Sequence, residues 1–276
     1  MNNKIIVVLV LLCFSTSIFC QKKIKIKGDK NIITNTQPIT SEFNAIEIND
    51  NINLILIQDV INEYKLTADE NLHEVLKFNV KDSILKIYST HKITSNKKLD
   101  VTLKFVNLKH IIIKNKANIK AETPIKGNIF YVTAHSSSNF NLNLKTNESI
   151  ITLQRNSSGK LKCDAKNVTL IMNDNTSLKA DINTIKASVT LTKNASLKLK
   201  GESNYCNYNI KDNSELNAQG LKAKNIDLYS SNKAKSSVNS SKNLELYAKG
   251  KSNIYIYGDP VIEIKGLTDK SKLIKK

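Results

Sequence analysis

Lysine and aspartate recur at regular positions in the middle of the chain. Charged side chains of these types at a regular spacing could bind anions or supply a catalytic carboxylate pair. One row contains the residue directly after a leucine in three successive segments: Lys162, Lys179 and Lys198. A second row follows two residues later in each segment: Asp164, Asp181 and Lys200. Because residues two apart share one face of a β-strand, both rows are predicted to lie on the same exposed surface.

This charged surface has three interpretations. Lysines stacked about 5 Å apart repel one another and neighbouring aspartates relieve that repulsion, so a solvated charge lattice is the simplest interpretation. The functional hypothesis is that Lys162, Lys179 and Lys198 form a stripe that binds anionic glycans or a charged envelope surface. The third interpretation is a catalytic carboxylate pair that processes polysaccharides, but Asp164 and Asp181 have no nearby histidine.

A fixed period positions these rows. Five asparagines stand 19 residues apart: Asn156, Asn175, Asn194, Asn213 and Asn232. Short runs of alternating apolar and polar residues precede and follow the asparagines, as 189–191 and 197–200 do around Asn194. Two strands and a polar turn per period predict an all-β fold, a single-stranded, β-helix-like β-solenoid of roughly 19-residue coils. The alternative with short alternating strands is an antiparallel β-sandwich.

The period also makes two geometric predictions. Apolar residues of successive coils are expected to line one buried column: Ile119, Phe140, Leu161, Leu178, Leu197, Leu216 and Ile254. Asn175, Asn194 and Asn213 are expected to stack at one corner, because asparagine accepts left-handed backbone angles and its side-chain amides can bond along a ladder.

The chain divides into an export segment and one elongated domain. Residues 1–20 are predicted to be a signal peptide cleaved before Gln21. Lipid anchoring at Cys20 is less favoured, because Phe19 is bulky where a lipoprotein signal requires a small residue. The remaining segments are a lead-in (21–41), an irregular β-rich N-terminal cap (42–105), the repeats (106–266) and a basic tail (267–276).

Composition narrows the classes of partner. The net charge of +18 favours anionic partners. Nucleic acid is not predicted among them, because tryptophan is absent, aromatic residues make up only 6% and the chain begins with a predicted export signal. The cysteines and the histidines lack metal-ligand spacing, so no metal or other cofactor is predicted. Cys163 and Cys206 are expected to be buried free thiols, with a disulfide between them as the alternative. Tyrosines are frequent in the C-terminal half and suit either sugar or protein binding or strand packing.

Several segments together match a known family pattern. They are the strand 43–48, the patch 68–72, the strand 83–87, the serial Asn/Ser turns and the closing segment 257–261. Over about residues 42–266 the chain resembles the "putative auto-transporter adhesin, head GIN domain" family of exported proteins from Gram-negative bacteria. The resemblance implies a right-handed β-solenoid and carries over no catalytic residues. The turns here are rich in Asn and Lys where the family favours Ser-Gly, which alters the surface.

The sequence therefore predicts an exported, non-catalytic binding protein of adhesin type that presents flat basic β-sheet faces. Its expected partners are anionic glycans or components of the envelope or cell surface, and its expected location is the periplasm or the cell surface. The apolar run of the signal peptide is too short to remain as a transmembrane segment. The first alternative is a periplasmic structural or stress-related envelope protein without a soluble ligand, and the second is a polysaccharide-processing β-helix enzyme.

Overall fold

Alternating apolar and polar residues build a stack of β-strands in a computed structural model of the protein, which describes residues 23–276. The predicted signal peptide and Cys20 lie outside the described residues. The N-terminal elements are β1 (Lys25–Lys27), β2 (Ile32–Pro38), β3 (Ala45–Ile48), β4 (Asn53–Gln58), β5 (Glu63–Asp69), a short 3-10 helix (Glu70–Leu72), β6 (Leu76–Lys81), β7 (Ile84–Ser89), β8 (Lys92–Ser95) and β9 (Leu99–Phe105).

The second half of the chain contains the longest strands. They are preceded by β10 (His110–Ile113), β11 (Asn118–Ala121), β12 (Ile125–Lys126) and β13 (Ile129–Ala134). The long strands are β14 (Asn139–Leu153), β15 (Ser158–Met172), β16 (Ser177–Leu191), β17 (Ser196–Ile210), β18 (Glu215–Ser230) and β19 (Lys235–Ala248). The chain then forms β20 (Asn253–Tyr257), β21 (Val261–Leu267) and β22 (Lys272–Lys275).

Each coil contributes one strand segment to each of two parallel stacks. The front sheet contains the segment that follows each corner turn: β9, β4, β11, the first halves of β14 to β19, β20 and β22. The back sheet contains the segment that precedes each turn: β7, β3, β10, β13, the second halves of β14 to β19 and β21. The result is a β-solenoid of about nine turns with coils of about 19 residues, which confirms the predicted fold class.

The core lies between the two sheets, and six of the seven predicted inward residues form one column. The strand register aligns Ile119, Phe140, Leu178, Leu197, Leu216 and Ile254, with Gly159 and Ser236 at the remaining levels. Leu161 is also buried but lies in the adjacent column, opposite Ala180. The assignment of Leu161 to the first column was therefore wrong. Gly159 occupies that level because the ring of Phe140 fills the space where its β carbon would stand.

The corner turns carry the asparagines, as the period predicts. Asn156, Asn175 and Asn194 all have positive φ, and the Nδ2 of Asn194 donates a hydrogen bond to Oδ1 of Asn175 at 3.0 Å. Asn213 lies in the next corner turn, but the ladder continues there through Asp212, whose carboxylate accepts from Asn232 at 2.9 Å. The register between β17 and β18 is 19 residues at this corner and shifts to 20 after Lys198, so Asn232 lies 20 residues after its partner Asp212. The three predicted asparagines therefore occupy one corner at intervals of 19 residues, and the side-chain hydrogen bond of the ladder joins Asn194 to Asn175.

The N-terminal block closes one end of the solenoid. Its strands β3 and β4 form a coil in register with β10 and β11, and β7 and β9 form a further coil beneath them. The antiparallel strands β6, β5 and β2 then cover the edges of this lower coil. Both β1 and β2 belong to the segment predicted as a lead-in, and β22 belongs to the segment predicted as a tail. In the structure β2 pairs with β5 and β22 pairs with β20, so both segments add strands to the main sheet, whereas β1 forms a separate two-stranded sheet with β8.

Candidate functional site

The outer surface of the front sheet gathers lysines from three successive coils. The register places Lys160 opposite Lys179 and Lys179 opposite Lys198, and all three side chains are exposed. Lys162 does not share this row, which corrects the predicted stripe by one member. The corner turns fix the register at 19 residues per coil, so the position equivalent to Lys179 is Lys160.

Lys162 belongs to the neighbouring row, where it faces Asp181, and Asp181 in turn faces Lys200. The carboxylate of Asp181 lies 2.9 Å from the ammonium group of Lys200. Asp164 is displaced from the row that the sequence predicted for it. It lies opposite Asn183, whose side-chain amide donates a 3.0 Å hydrogen bond to the Asp164 carboxylate.

The two rows together line a shallow groove of about 500 Å³. Its charged residues are Lys160, Lys162, Lys179, Lys198, Lys200 and Asp181. Five ammonium groups therefore face one carboxylate, and within residues 23–276 only Lys200 of the five forms an ion pair. Neighbouring strands lie about 4.8 Å apart, so positive charge repeats at that interval along the groove. Such a surface attracts a polyanion that extends along the solenoid axis.

The outer surface of the back sheet has different chemistry at its C-terminal end. Asp227, Glu245 and Glu263 occupy equivalent positions in three successive coils. Burial, reinforced by the negative charge of Glu245, raises the pKa of Asp227. The hydroxyl group of Tyr205 donates a hydrogen bond to the Asp227 carboxylate.

Two tyrosines stand beside this acidic row. The rings of Tyr229 and Tyr247 stack with their centroids 5.4 Å apart and their planes 1° from parallel. The ammonium groups of Lys211 and Lys249 lie 5.6 and 5.9 Å from the centre of the Tyr229 ring. Partial burial favours a higher pKa for Tyr229, but hydrogen bonding to Lys249 and the positive charges outweigh it and lower that pKa.

The cysteines are structural. Cys163 and Cys206 are buried free thiols on different sheets, and the disulfide alternative is therefore excluded for the described chain. Burial raises the pKa of Cys163 to about 11, although a hydrogen bond to Ser149 opposes the shift. Neither thiol is an available nucleophile at neutral pH.

The histidines are dispersed over the N-terminal half of the fold. The imidazole of His110 forms a hydrogen bond with the hydroxyl group of Thr133, and the imidazole of His135 forms one with the hydroxyl group of Ser136. Within residues 23–276, no group of three histidine, cysteine or acidic side chains is arranged to hold a metal ion.

Sequence reasoning missed Lys160 and the pairing of Tyr205 with Asp227. The signal for Lys160 was present, because counting 19 residues back from Lys179 reaches it. Leu161, which precedes Lys162, was aligned with Leu178 in the prediction, but the residue in register with Leu178 is Gly159. Tyr205 and Asp227 lie in neighbouring coils but are 22 residues apart in the sequence, so the 19-residue period does not predict their contact.

The family description that matches the chain is "Putative auto-transporter adhesin, head GIN domain", over residues 42–163 and 146–260. The chain belongs to this family. The resemblance stated from the sequence is thereby confirmed. No curated protein matches the chain.

Solved structures of proteins from two Parabacteroides species share the fold. A "putative lipid binding protein" from Parabacteroides distasonis is 20% identical with a TM-score of 0.66, covering 91% of this chain and 99% of its own. A "putative adhesin" from the same species is 18% identical with a TM-score of 0.60, covering 91% and 100%. A "putative adhesin" from Parabacteroides merdae is 21% identical with a TM-score of 0.59, covering 91% and 99%. At these identities the likeness shows the fold alone.

Within residues 23–276, no helix has the length and apolarity of a membrane span.

Proposed function

We propose that this protein is an exported, non-catalytic binding protein of adhesin type, located in the periplasm or at the cell surface. Its front groove holds anionic glycans or other anionic components of an envelope or cell surface. The observation that carries the proposal is the in-register row of Lys160, Lys179 and Lys198, with Lys162 and Lys200 beside it.

Three features of the groove support binding of an extended polyanion. The lysines repeat once per coil, so a chain of regularly spaced carboxylate or sulfate groups can contact several of them together. The groove is shallow and open, which suits a polymer passing through it better than a small molecule enclosed by it. The groove has a large excess of positive charge, because five ammonium groups lie beside a single carboxylate, that of Asp181. The family description, which names an adhesin, agrees with a role in surface binding.

The proposal is tested by measuring binding of acidic and neutral polysaccharides to the chain from Gln21 onward, at low and at physiological salt. We expect selective binding of acidic polysaccharides that persists at physiological salt. The triple variant K160Q/K179Q/K198Q is expected to weaken it by about 3- to 150-fold, because each of the three exposed ion pairs contributes about 0.2–1 kcal/mol. DNA serves as a control polyanion that should compete poorly.

A matched control removes the same number of charges elsewhere. Lys166, Lys222 and Lys242 are exposed lysines near the bends between the two sheets, and K166Q/K222Q/K242Q lowers the net charge equally. Equal weakening by both triple variants would contradict the proposal, since binding would then follow net charge alone. Binding that disappears at physiological salt would favour the alternative of a structural envelope protein without a soluble ligand.

A further inference from the structure

The outer face of the back sheet carries two stacked tyrosine rings, those of Tyr229 and Tyr247, and the next coil packs against the second of them. Tyr247 retains 37% of its surface exposure, although its ring stacks on Tyr229. The ring also rests against Gly266 in the last coil, where an added β carbon would approach it to 2.7 Å. Glycine at this level therefore leaves the tyrosine stack room to lie across the outer face. Apolar C–H groups of a sugar ring pack well against such an amphipathic aromatic surface.

The charged groups beside the tyrosines neutralise one another. The ammonium group of Lys265 lies 3.9 Å from the Glu245 carboxylate and 2.5 Å from that of Glu263. Asp227 is held by the hydroxyl group of Tyr205. Around the tyrosine pair, three carboxylates (Asp227, Glu245 and Glu263) are thus matched in number by three ammonium groups (Lys211, Lys249 and Lys265), and a further ammonium group, that of Lys186, lies 5.8 Å from the centre of the Tyr205 ring. A balanced surface of this kind gives no net attraction to a polyanion, but it supplies many donors and acceptors for hydroxyl groups.

The acidic row separates two depressions that run across the same coils. One has a volume of about 530 Å³ and is bordered by Tyr229, Tyr247 and Lys265. The other has a volume of about 430 Å³ and is bordered by Tyr205 and Glu263. Asp227 and Glu245 line both of them. Each volume lies within the range of about 300–1,000 Å³ that holds small ligands, so both together can receive successive units of one chain.

We propose that this surface, formed by β17, β18, β19 and β21, is a second binding site for an uncharged oligosaccharide. The sugar rings pack on Tyr229 and Tyr247, while Asp227 and Glu245 accept hydrogen bonds from sugar hydroxyl groups. Lys265 and Lys211 donate to sugar oxygens. The site goes beyond the proposed anion groove because it lies on the other sheet and selects ligands by hydroxyl groups and shape rather than by charge.

The same carboxylates do not form an arrangement for hydrolysis. Asp227 and Glu245 are adjacent in register, but Lys265 pairs with Glu245 and the depression is open to solvent. A general acid requires a site where the proton is held beside the bond to be broken and water is excluded. The site therefore binds the sugar without cutting it.

The test is calorimetric titration of the chain from Gln21 onward with uncharged hexasaccharides of glucose, mannose, galactose and N-acetylglucosamine. We expect saturable binding of at least one of them with a dissociation constant that does not change between low and physiological salt. Because the chain contains nine tyrosines and no tryptophan, tyrosine fluorescence reports the same event independently. The variant Y229A/Y247A should lose at least tenfold in affinity, whereas Y229F/Y247F should retain most of it.

A matched control uses two tyrosines of the front sheet. Tyr255 and Tyr257 stand on the outer side of β20, and Y255A/Y257A should leave binding unchanged. The front-groove variant K160Q/K179Q/K198Q should also leave it unchanged, so failure of this proposal is distinguishable from failure of the anion groove. Absence of binding to all four sugars, equal loss in Y255A/Y257A, or release of new reducing ends during incubation would each overturn the proposal.

Discussion

The front and back sheets share one core but present different outer surfaces. In β15 to β17 the front surface repeats lysine at equivalent positions, whereas the back surface repeats an acidic residue in β18, β19 and β21, with a tyrosine beside it in β18 and β19. Inward positions alternate with these rows on both sheets and are filled by similar apolar residues. The difference shows that the scaffold does not determine the chemistry of either surface, because inward and outward residues alternate independently.

Stacking amplifies whatever residue type occupies an outward row. A single exposed lysine attracts an anion weakly, but lysines in register about 4.8 Å apart combine their fields along one line. On the back surface the same stacking pairs charges instead of accumulating them, because each carboxylate there has a hydrogen-bond or ion-pair partner in its own or a neighbouring coil. One solenoid can therefore carry a strongly basic surface and a surface of mixed, paired charges on opposite sides of one core.

The largest expected effect comes from damaging the core that both surfaces share. Gly201 has a φ of +113° and its missing β carbon would lie 2.0 Å from the carbonyl oxygen of Ile182. We expect Gly201→Ala to lower the free energy of unfolding by roughly 2–4 kcal/mol. In a domain of this size that corresponds to a fall in Tm of roughly 5–15 °C, measured by circular dichroism.

The control for this variant is Gly127→Ala, because a β carbon at Gly127 meets nothing closer than 3.9 Å. It should leave Tm nearly unchanged. Both kinds of ligand binding should weaken together in Gly201→Ala near its Tm. Loss of one kind with full retention of the other would contradict a common core.

A smaller effect is expected when charge is reversed on one surface only. K179E/K198E places two carboxylates in the middle of the front row, so binding of acidic polysaccharide should fall by tenfold or more. Binding of neutral sugar should stay within twofold of wild type. Titration of one protein preparation with both ligands measures the two effects side by side, and a parallel loss of both would show that the surfaces are not independent.

Asp181→Asn is expected to strengthen anion binding modestly. This change removes the groove's single carboxylate and releases Lys200, so affinity for acidic polysaccharide should rise by roughly two- to fivefold. Stability should change by less than about 1 kcal/mol, because the pair with Lys200 is exposed. Asp174→Asn changes the net charge equally at a corner turn and is the control. Equal strengthening by both variants would assign the effect to net charge.

The smallest effect concerns the pH dependence contributed by Asp227. Its pKa is raised by burial and by the charge of Glu245, so the folded state holds this proton more tightly than the unfolded state. The stabilising contribution is present below the unfolded pKa of about 3.9 and is lost as pH rises through the folded pKa. In Asp227→Asn this component should be absent, so its stability relative to wild type should increase over that interval. Urea unfolding between pH 3.5 and 6 measures it, at roughly 1 kcal/mol or less.

The sequence predicted the solenoid because its signal is physical and repeated. Alternation along each strand and asparagine at each corner both follow from the coil geometry, so errors in one coil are corrected by the others. The predicted row of Lys162, Lys179 and Lys198 was wrong for Lys162. Gly159 occupies the column position in that coil, so aligning Leu161 with Leu178 shifted the predicted register of the coil by two residues. Such a slip preserves inside and outside, which is why Leu161 was correctly predicted to be buried and Lys162 exposed.

The strands of the N-terminal cap and the back-face contacts needed the structure. β7 and β9 enter the solenoid below β3 and β4, so the order of coils in space differs from the order in sequence. No periodic pattern encodes that reversal. The pairing of Lys265 with both Glu245 and Glu263 likewise depends on which rotamers the neighbouring coils permit.

The front groove depends on the register that places Lys160, and not Lys162, beside Lys179. Double cysteine variants test it directly, because a disulfide requires Cα atoms within about 7 Å and in-register neighbouring strands satisfy that limit. We expect K160C/K179C to form an intramolecular disulfide under mild oxidation, and K162C/K179C, two residues out of register, to form none. Mass spectrometry of the two oxidised proteins gives the answer. A disulfide in K162C/K179C with none in K160C/K179C would contradict the register and the front groove built on it.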